Sequence, residues 1–168
     1  MFEYLAPKAP VALQCPEANE APEGGAIFRR LTEEVVALKK IAKGGFEIKD
    51  WKENPTGAKT GPKVTRASVK QRYTGDIKGT GTIEYVMAYR PDKTAEYTGV
   101  EVITGSIGGR KGSIALRLRG EYDGKEAVTK WQVVPGGGRG ALKDLTGTGK
   151  FSAPMGSKGR YTLTYEIA

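Results

Sequence analysis

The feature that most constrains this chain is an alternation of side-chain character with a period of two. Between residues 77 and 89, Ile83, Tyr85 and Met87 share one parity, while Thr82 and Glu84 occupy the other. A strand turns successive side chains to opposite faces, so this pattern is typical of a half-buried strand. Similar segments, separated by Gly, Asp or Pro, cover residues 46–51, 64–74, 77–89, 97–107, 113–122, 128–134, 147–151 and 160–167. The run Asn54-Pro-Thr-Gly57 is expected to end the first of them.

Eight short strands joined by short turns predict an all-β fold for residues 43–168. We expect a mostly antiparallel, up-and-down, eight-stranded barrel, because closure of the sheet removes its exposed edges. Gly accounts for 24 of the 168 residues. That content disfavours a long-helix bundle, where each interior glycine costs about 1 kcal/mol.

Residues 1–42 differ from the rest of the chain. Four prolines within residues 1–26 indicate an extended arm. Phe28, Leu31, Val35 and Leu38 recur at helical spacing behind Thr32, a suitable N-cap, and predict a short amphipathic helix over residues 32–42. The pair Val35-Val36 suits a strand equally well. The helix is expected to cover the barrel mouth as a lid, or to pack on the outer wall or on a second subunit.

Composition excludes several classes of chemistry. The chain has no histidine, which removes imidazole-based metal sites and catalytic triads. Its one cysteine, Cys15, cannot form an intramolecular disulfide or a cysteine-cluster metal site. We therefore expect no metal and no cofactor. The sequence shows no secretory signal and no apolar run of about 18 residues, which favours a cytoplasmic location and no membrane partner.

A set of motifs carries a family resemblance over about residues 43–168. It comprises Tyr73-Thr-Gly-Asp-Ile-Lys-Gly-Thr-Gly81, Glu84-Tyr85, Gly99-Val-Glu101, Gly105-Ser-Ile-Gly-Gly-Arg-Lys-Gly-Ser113 and Trp131-Gln-Val-Val-Pro-Gly-Gly-Gly-Arg-Gly140. These motifs resemble a bacterial family of unknown function whose members are similar to the lipocalin-like barrel of allene oxide cyclase. The resemblance implies an eight-stranded barrel that binds a hydrophobic small molecule, as a cofactor-independent cyclase or isomerase.

The sequence departs from the family pattern at two places. Leu118 stands where the family tends to have a histidine, so no role of that histidine carries over. Gly137 and Arg139 stand where the family favours serine and threonine. The resemblance therefore supports the fold more than any activity.

Aromatic side chains are the candidate ligand-binding residues. If the face that carries Tyr85 points inward, the interior could be lined by Tyr85, Met87, Tyr89, Tyr97, Trp131, Phe151 and Tyr165. Phenols and an indole offer apolar area with one polar tip, which suits an oxygenated hydrophobic ligand. The alternative is that these side chains fill the core.

Glu101 is the candidate catalytic group. It shares a strand face with Tyr97, and a carboxyl group in an apolar barrel would have its pKa raised for general acid or base work. Glu84 is the competing acid, and Arg110 and Arg117 are candidate charge partners of either carboxylate. The alternative is an ordinary structural ion pair.

A basic row gives the second function hypothesis. Residues 43–168 carry 22 basic and 13 acidic side chains, a net charge of +9, and Arg66, Lys70 and Arg72 share one face near Lys78. Such a surface is typical of a module for single-stranded nucleic acid or for assembly. The positive charge is spread singly along the chain, which makes nucleic acid the less expected partner. The sequence leaves open whether the chain forms a homo-oligomer.

Overall fold

The computed structural model describes residues 38–57 and 60–167. In chain order the strands are β1 (Lys40–Thr56), β2 (Lys63–Gly75), β3 (Ile77–Tyr89), β4 (Ala95–Ile107), β5 (Arg110–Tyr122), β6 (Glu126–Val133), β7 (Arg139–Gly140), β8 (Thr146–Pro154) and β9 (Gly159–Glu166). The described residues contain no helix. They also contain no helical segment long and apolar enough to span a bilayer.

Eight of these strands form a closed antiparallel barrel. Each strand pairs with the next along the chain, except that β6 pairs with β8, and β9 returns to pair with β1. The short β7 pairs with Gly112 and Ser113 at the start of β5, beyond the stretch that β6 covers. The predicted fold class and all eight predicted strands are confirmed, and β7 is the one strand that the pattern did not indicate.

β1 departs from the prediction at both of its ends. Lys40, Ile41 and Ala42 pair with β9, so these three residues are strand and not the end of a helix. Ala42 is buried in the core, which is why the strand extends to include it. Leu38 and Lys39, also within the predicted helix, lie in no regular element, and Leu38 is exposed. Residues 32–37 of that helix, and with them most of the possible lid, and the arm lie outside the described residues.

The predicted end of this strand at Trp51 is wrong, because pairing with β2 continues to Thr56, within the run Asn54–Gly57 that was expected to end the strand. Proline cannot donate a ladder hydrogen bond, which confines it to strands with a free edge. β9 begins at Gly159 opposite Phe46, so the later part of β1 has a partner on one side only. Pro55 is tolerated there.

The barrel has one end that is packed with apolar side chains. β6 finishes and β8 begins at this end, and the segment between them places Leu142 and Leu145 in the core beside Ile77, Ile103 and Ile107. The N–H of Leu145 donates to the carbonyl of Leu142 at 3.1 Å, so the segment turns over the end of the barrel. We call this the closed end. The opposite end, where β3, β5 and β8 finish, is the open end.

Candidate functional site: a cavity at the open end

The open end contains a cavity of about 860 Å³. Its wall includes Phe46, Tyr85, Met87, Tyr97 and Phe151, with Gln71 as an amide among them. An eight-stranded barrel has an interior that ordinary side chains can fill. Here the inward positions of β6 and β8 carry Ala127 and Ala153, which pair with each other, so one side of the barrel leaves the space unfilled.

A β-bulge shapes the mouth of the cavity. The register of β1 against β2 shifts between Ile48 and Asp50. Such a shift inserts one residue and changes which parity faces inward. Consequently Ile48 before the bulge and Trp51 after it both border the cavity, and 49% of Ile48 and 42% of Trp51 remain exposed. Met155, in the turn between β8 and β9, adds a third exposed apolar side chain to this rim.

The charged groups at the mouth have partners. The carboxylate of Glu47 accepts from Lys49 and Lys158, each at 2.6 Å. The carboxylate of Glu53 accepts from the hydroxyl of Thr65 at 2.7 Å, the hydroxyl of Tyr89 at 2.8 Å and the indole N–H of Trp51 at 3.0 Å.

These bonds keep Glu53 ionised. Partial burial, the largest single influence, raises its pKa, but the three hydrogen bonds together hold the pKa below its ordinary value.

Glu101 lies beneath the cavity and is fully buried. Its Oε1 accepts from the hydroxyl of Tyr73 at 2.6 Å and from the amide N–H of Gln71 at 2.9 Å. The side chain of Glu101 is not part of the cavity wall, whereas that of Gln71 is. Gly81 on β3 leaves the room for this arrangement, because a Cβ there would clash with the carboxylate and with the Tyr73 ring.

The surroundings of Glu101 favour its neutral form. Burial, the largest influence, raises its pKa to about 7 against the two hydrogen bonds, which lower it. Its Oε2 is buried without a partner in the described part of the chain, as is the indole nitrogen of Trp131. No cation pairs with Glu101 in that part of the chain, so the ion-pair alternative is not what the structure shows.

The structure places the predicted ligand-binding residues in three positions. Five of them line the cavity: Tyr85, Met87, Tyr89, Tyr97 and Phe151. Trp131 is buried below it, packed edge-on against Phe151 with ring centroids 5.5 Å apart. Tyr165 lies at the closed end, where its hydroxyl sits over Gly108 in the turn between β4 and β5. Trp131 and Tyr165 therefore do not border the cavity.

The alternative acid and the charge partners lie on the outer surface. Glu84 is exposed and accepts from the hydroxyl of Ser68 at 2.6 Å. Arg110 and Arg117 are exposed, and within residues 38–57 and 60–167 neither forms an ion pair with Glu84 or Glu101. Strand parity separates Arg117 from Glu101, since Arg117 pairs with the outward-facing Val100. Arg110 has the inward parity of β5, but it pairs with Ile107 beside the turn between β4 and β5, six residues along β4 from Glu101.

Sequence reasoning missed much of the site, including Phe46, Trp51 and Gln71 of the cavity wall. It also missed Glu53, which binds the wall residues Trp51 and Tyr89. The alternation of β2 carries a signal for Gln71, because Arg66, Lys70 and Arg72 mark the outer face and leave Val69, Gln71 and Tyr73 inside. No such signal exists for Trp51 and Glu53, whose orientation depends on the bulge in β1. The basic row itself lies on the outer wall.

A model of the family described as protein of unknown function (DUF3224) matches residues 42–165. This chain belongs to the DUF3224 family. A crystal structure of a DUF3224 protein of unknown function from Shewanella oneidensis MR-1 is similar, with 26% identity and a TM-score of 0.63. The similarity covers 78% of this chain and 99% of that chain. A comparison with curated proteins gives no match. The family membership thus confirms the resemblance and the barrel, and supplies no activity.

Proposed function

We propose that this DUF3224 barrel binds an uncharged or weakly polar hydrophobic small molecule in the cavity at its open end. The observation that carries the proposal is the cavity itself. Its volume of about 860 Å³ lies within the range of roughly 300–1,000 Å³ that is usual for small-molecule sites. Its wall is mainly aromatic and aliphatic, with few polar groups, as in such sites.

The rim supports the same proposal. Ile48, Trp51 and Met155 leave large apolar surfaces in water at the mouth, where a bound molecule would cover part of them. Covering apolar surface contributes about 25 cal/mol per Å². The described interior contains no lysine or arginine, and its buried polar side chains are Thr65, Gln71, Glu101 and Thr129. An apolar molecule with a small polar group therefore fits this interior better than a highly charged one.

The proposal is one of binding, and catalysis is a separate step. A general acid or base must come within about 3 Å of the atom it serves, or reach it through one water. Glu101 is separated from the cavity by the side chains of its wall. Its role in a cyclase or isomerase reaction stays a prediction, as does binding of single-stranded nucleic acid or a partner subunit by the basic row. Loss of turnover in Glu101→Gln with unchanged ligand affinity would support the catalytic role.

Binding of N-phenyl-1-naphthylamine, an uncharged dye whose fluorescence rises in apolar surroundings, tests the proposal. Ala153→Phe fills the cavity from β8, and Ala88→Phe places the same side chain on the outer face of β3. We expect saturable binding that Ala153→Phe weakens at least about tenfold, a change of about 1.4 kcal/mol. Ala88→Phe should leave the affinity unchanged. Equal affinity in both variants, or no saturable binding by the unmodified chain, contradicts the proposal.

A further inference from the structure

The side chain of Gln71 is held in one orientation by a buried network. Gln71 is 2% exposed, and its amide N–H group donates both to Oε1 of Glu101 at 2.9 Å and to the hydroxyl oxygen of Tyr73. The Tyr73 hydroxyl in turn donates its one proton to Glu101. An ionised carboxylate only accepts hydrogen bonds, and a phenol has a single proton to give.

The reverse orientation of the Gln71 amide is therefore unfavourable. It would turn the amide oxygen towards a carboxylate oxygen and towards a phenol oxygen whose proton is already used. Both contacts would bring acceptors together in a buried place, where an unsatisfied polar group is costly. The network thus leaves Oε1 of Gln71 as the free polar atom of this side chain, and Gln71 is the amide of the cavity wall.

A second polar group of the wall is also free. The hydroxyl of Tyr85 makes no hydrogen bond to the described residues, whereas the hydroxyl of Tyr97 is paired with Thr129 at 2.7 Å. Tyr85 follows Gly81 along β3, and Gly81 is opposite Gln71, so Tyr85 lies nearer the open end. The wall therefore offers an acceptor deep in the cavity and a phenol closer to its mouth.

We propose that Gln71 selects ligands that present an O–H or N–H donor to its amide oxygen at the deep end of the cavity, and that carboxylates are rejected. This inference rests on the proposed function, since it assigns a ligand class to the same cavity. Glu101 acts here as a positioning residue, because it accepts from the amide of Gln71 and so fixes that amide. Above its pKa of about 7, the negative charge of Glu101 also disfavours an anion in the cavity. Alcohols and amines share the required donor.

Competition against N-phenyl-1-naphthylamine distinguishes these chemistries. The competitors are 1-decanol, decylammonium, decanoate and 1-methoxynonane, an ether of similar length without a donor. The titrations are run at pH 8.5, above the pKa of about 7 of Glu101. We expect decanol, which is uncharged, to displace the dye at about fivefold lower concentration than the ether, as one hydrogen bond of about 1 kcal/mol provides. Decanoate should be the weakest competitor.

The matched variants assign that preference to one residue. Gln71→Leu should reduce the preference for the donor over the ether by about fivefold, since it removes the amide oxygen. Dye affinity is measured for each variant and used to correct the competition, because N-phenyl-1-naphthylamine carries an N–H group of its own. Gln132→Leu makes the same change on the outer face of β6 and should preserve the preference. Glu101→Gln serves as a second variant, because an amide at 101 both donates and accepts and no longer fixes Gln71. It should weaken the preference once the competition is corrected for the dye affinity of this variant.

Three results overturn the inference while the proposed function stands, provided that Ala153→Phe weakens dye binding. The first is equal competition by the ether and the alcohol. The second is a preference for the alcohol that survives in Gln71→Leu and in Glu101→Gln. The third is stronger competition by decanoate than by decanol. Absence of dye binding contradicts the proposed function and this inference together. Comparison of decanol with decylammonium shows whether the cavity prefers a hydroxyl or an ammonium donor.

Discussion

The two ends of this barrel are made from the same strands and have different contents. At the closed end, the segment between β6 and β8 adds Leu142 and Leu145 to a cluster of isoleucines on β3 and β4. At the open end, Ala127 and Ala153 occupy inward positions, and a cavity of about 860 Å³ remains. The same strands therefore enclose a packed core in one half of the barrel and leave a cavity in the other.

The largest expected effect tests the structural role of the closed end. Leu142→Ala removes a side chain that is 1% exposed, so the free energy of unfolding should fall by about 2–5 kcal/mol. Met155→Ala at the rim of the open end removes a side chain that is 68% exposed and should change it by less than about 0.5 kcal/mol. Urea denaturation measures both. Similar losses in the two variants would mean that the ends do not differ in this way.

Glu101 lies between the two halves, and its titration should govern the pH dependence of stability. Its pKa is 4.5 when unperturbed and about 7 in the barrel, so the folded state binds more protons than the unfolded state between these values. Stability is therefore highest below about pH 4.5 with respect to this group, and falls as the pH rises to about 7. The loss amounts to about 3 kcal/mol, at about 1.4 kcal/mol per pKa unit.

Glu101→Gln should remove most of this loss of stability with rising pH. The variant should also be more stable than the unmodified chain at pH 8.5. Glu84→Gln makes the same change on the outer surface and should leave the pH-dependent loss of stability unchanged. Urea unfolding at pH 5 and pH 8.5 compares the three proteins. An unmodified chain that is equally stable at both values would show that Glu101 has the same pKa in the folded and unfolded states.

The smallest effect concerns the rim of the open end. Thr65→Val keeps the volume of a side chain that is 2% exposed and removes its hydrogen bond to Glu53. We expect a loss of about 1 kcal/mol in the free energy of unfolding at pH 7. The pKa of Glu53 is lowered in the fold, so the stability that Glu53 provides exists above its ordinary pKa and disappears as the pH falls.

The loss caused by Thr65→Val should therefore shrink as Glu53 becomes protonated at acidic pH. Pairing the variant with Glu53→Gln in a double-mutant cycle isolates the Thr65–Glu53 contact. Independent, additive losses at pH 7 would contradict the described contact between the two side chains.

Alternation predicted the barrel well because both faces of these strands are strongly marked. In β2, for example, Arg66 and Lys70 lie outside while Val69 and Tyr73 lie inside, as their period of two requires. The same parity put Glu101 on one strand face with Tyr97 without saying which face is inside, and in the structure both side chains are buried. Parity alone could not say whether the interior is filled, since that depends on which alanines meet across neighbouring strands.

Other parts of the site follow from long-range pairing. The bulge in β1 turns Trp51 towards the cavity and Glu53 towards Thr65 and Tyr89. Nothing in the local pattern of residues 46–51 indicates this bulge. The position of Tyr165 at the closed end follows from the pairing of β9 with β1, although its spacing resembles that of the cavity aromatics. The period of two predicts which side chains share a face of a strand. Their position along the barrel axis depends on how each strand is aligned with its neighbours.

Anomalous X-ray diffraction from crystals of the full chain grown with 10-bromodecan-1-ol tests the central claim most directly. The bromine atom marks the position of a flexible apolar ligand without any mutation. The account predicts a bromine peak inside the open-end cavity, near Phe46, Met87 or Phe151. A bromine peak only on the outer wall or among the leucines of the closed end, or crystals with no bound bromine in the cavity, would contradict it.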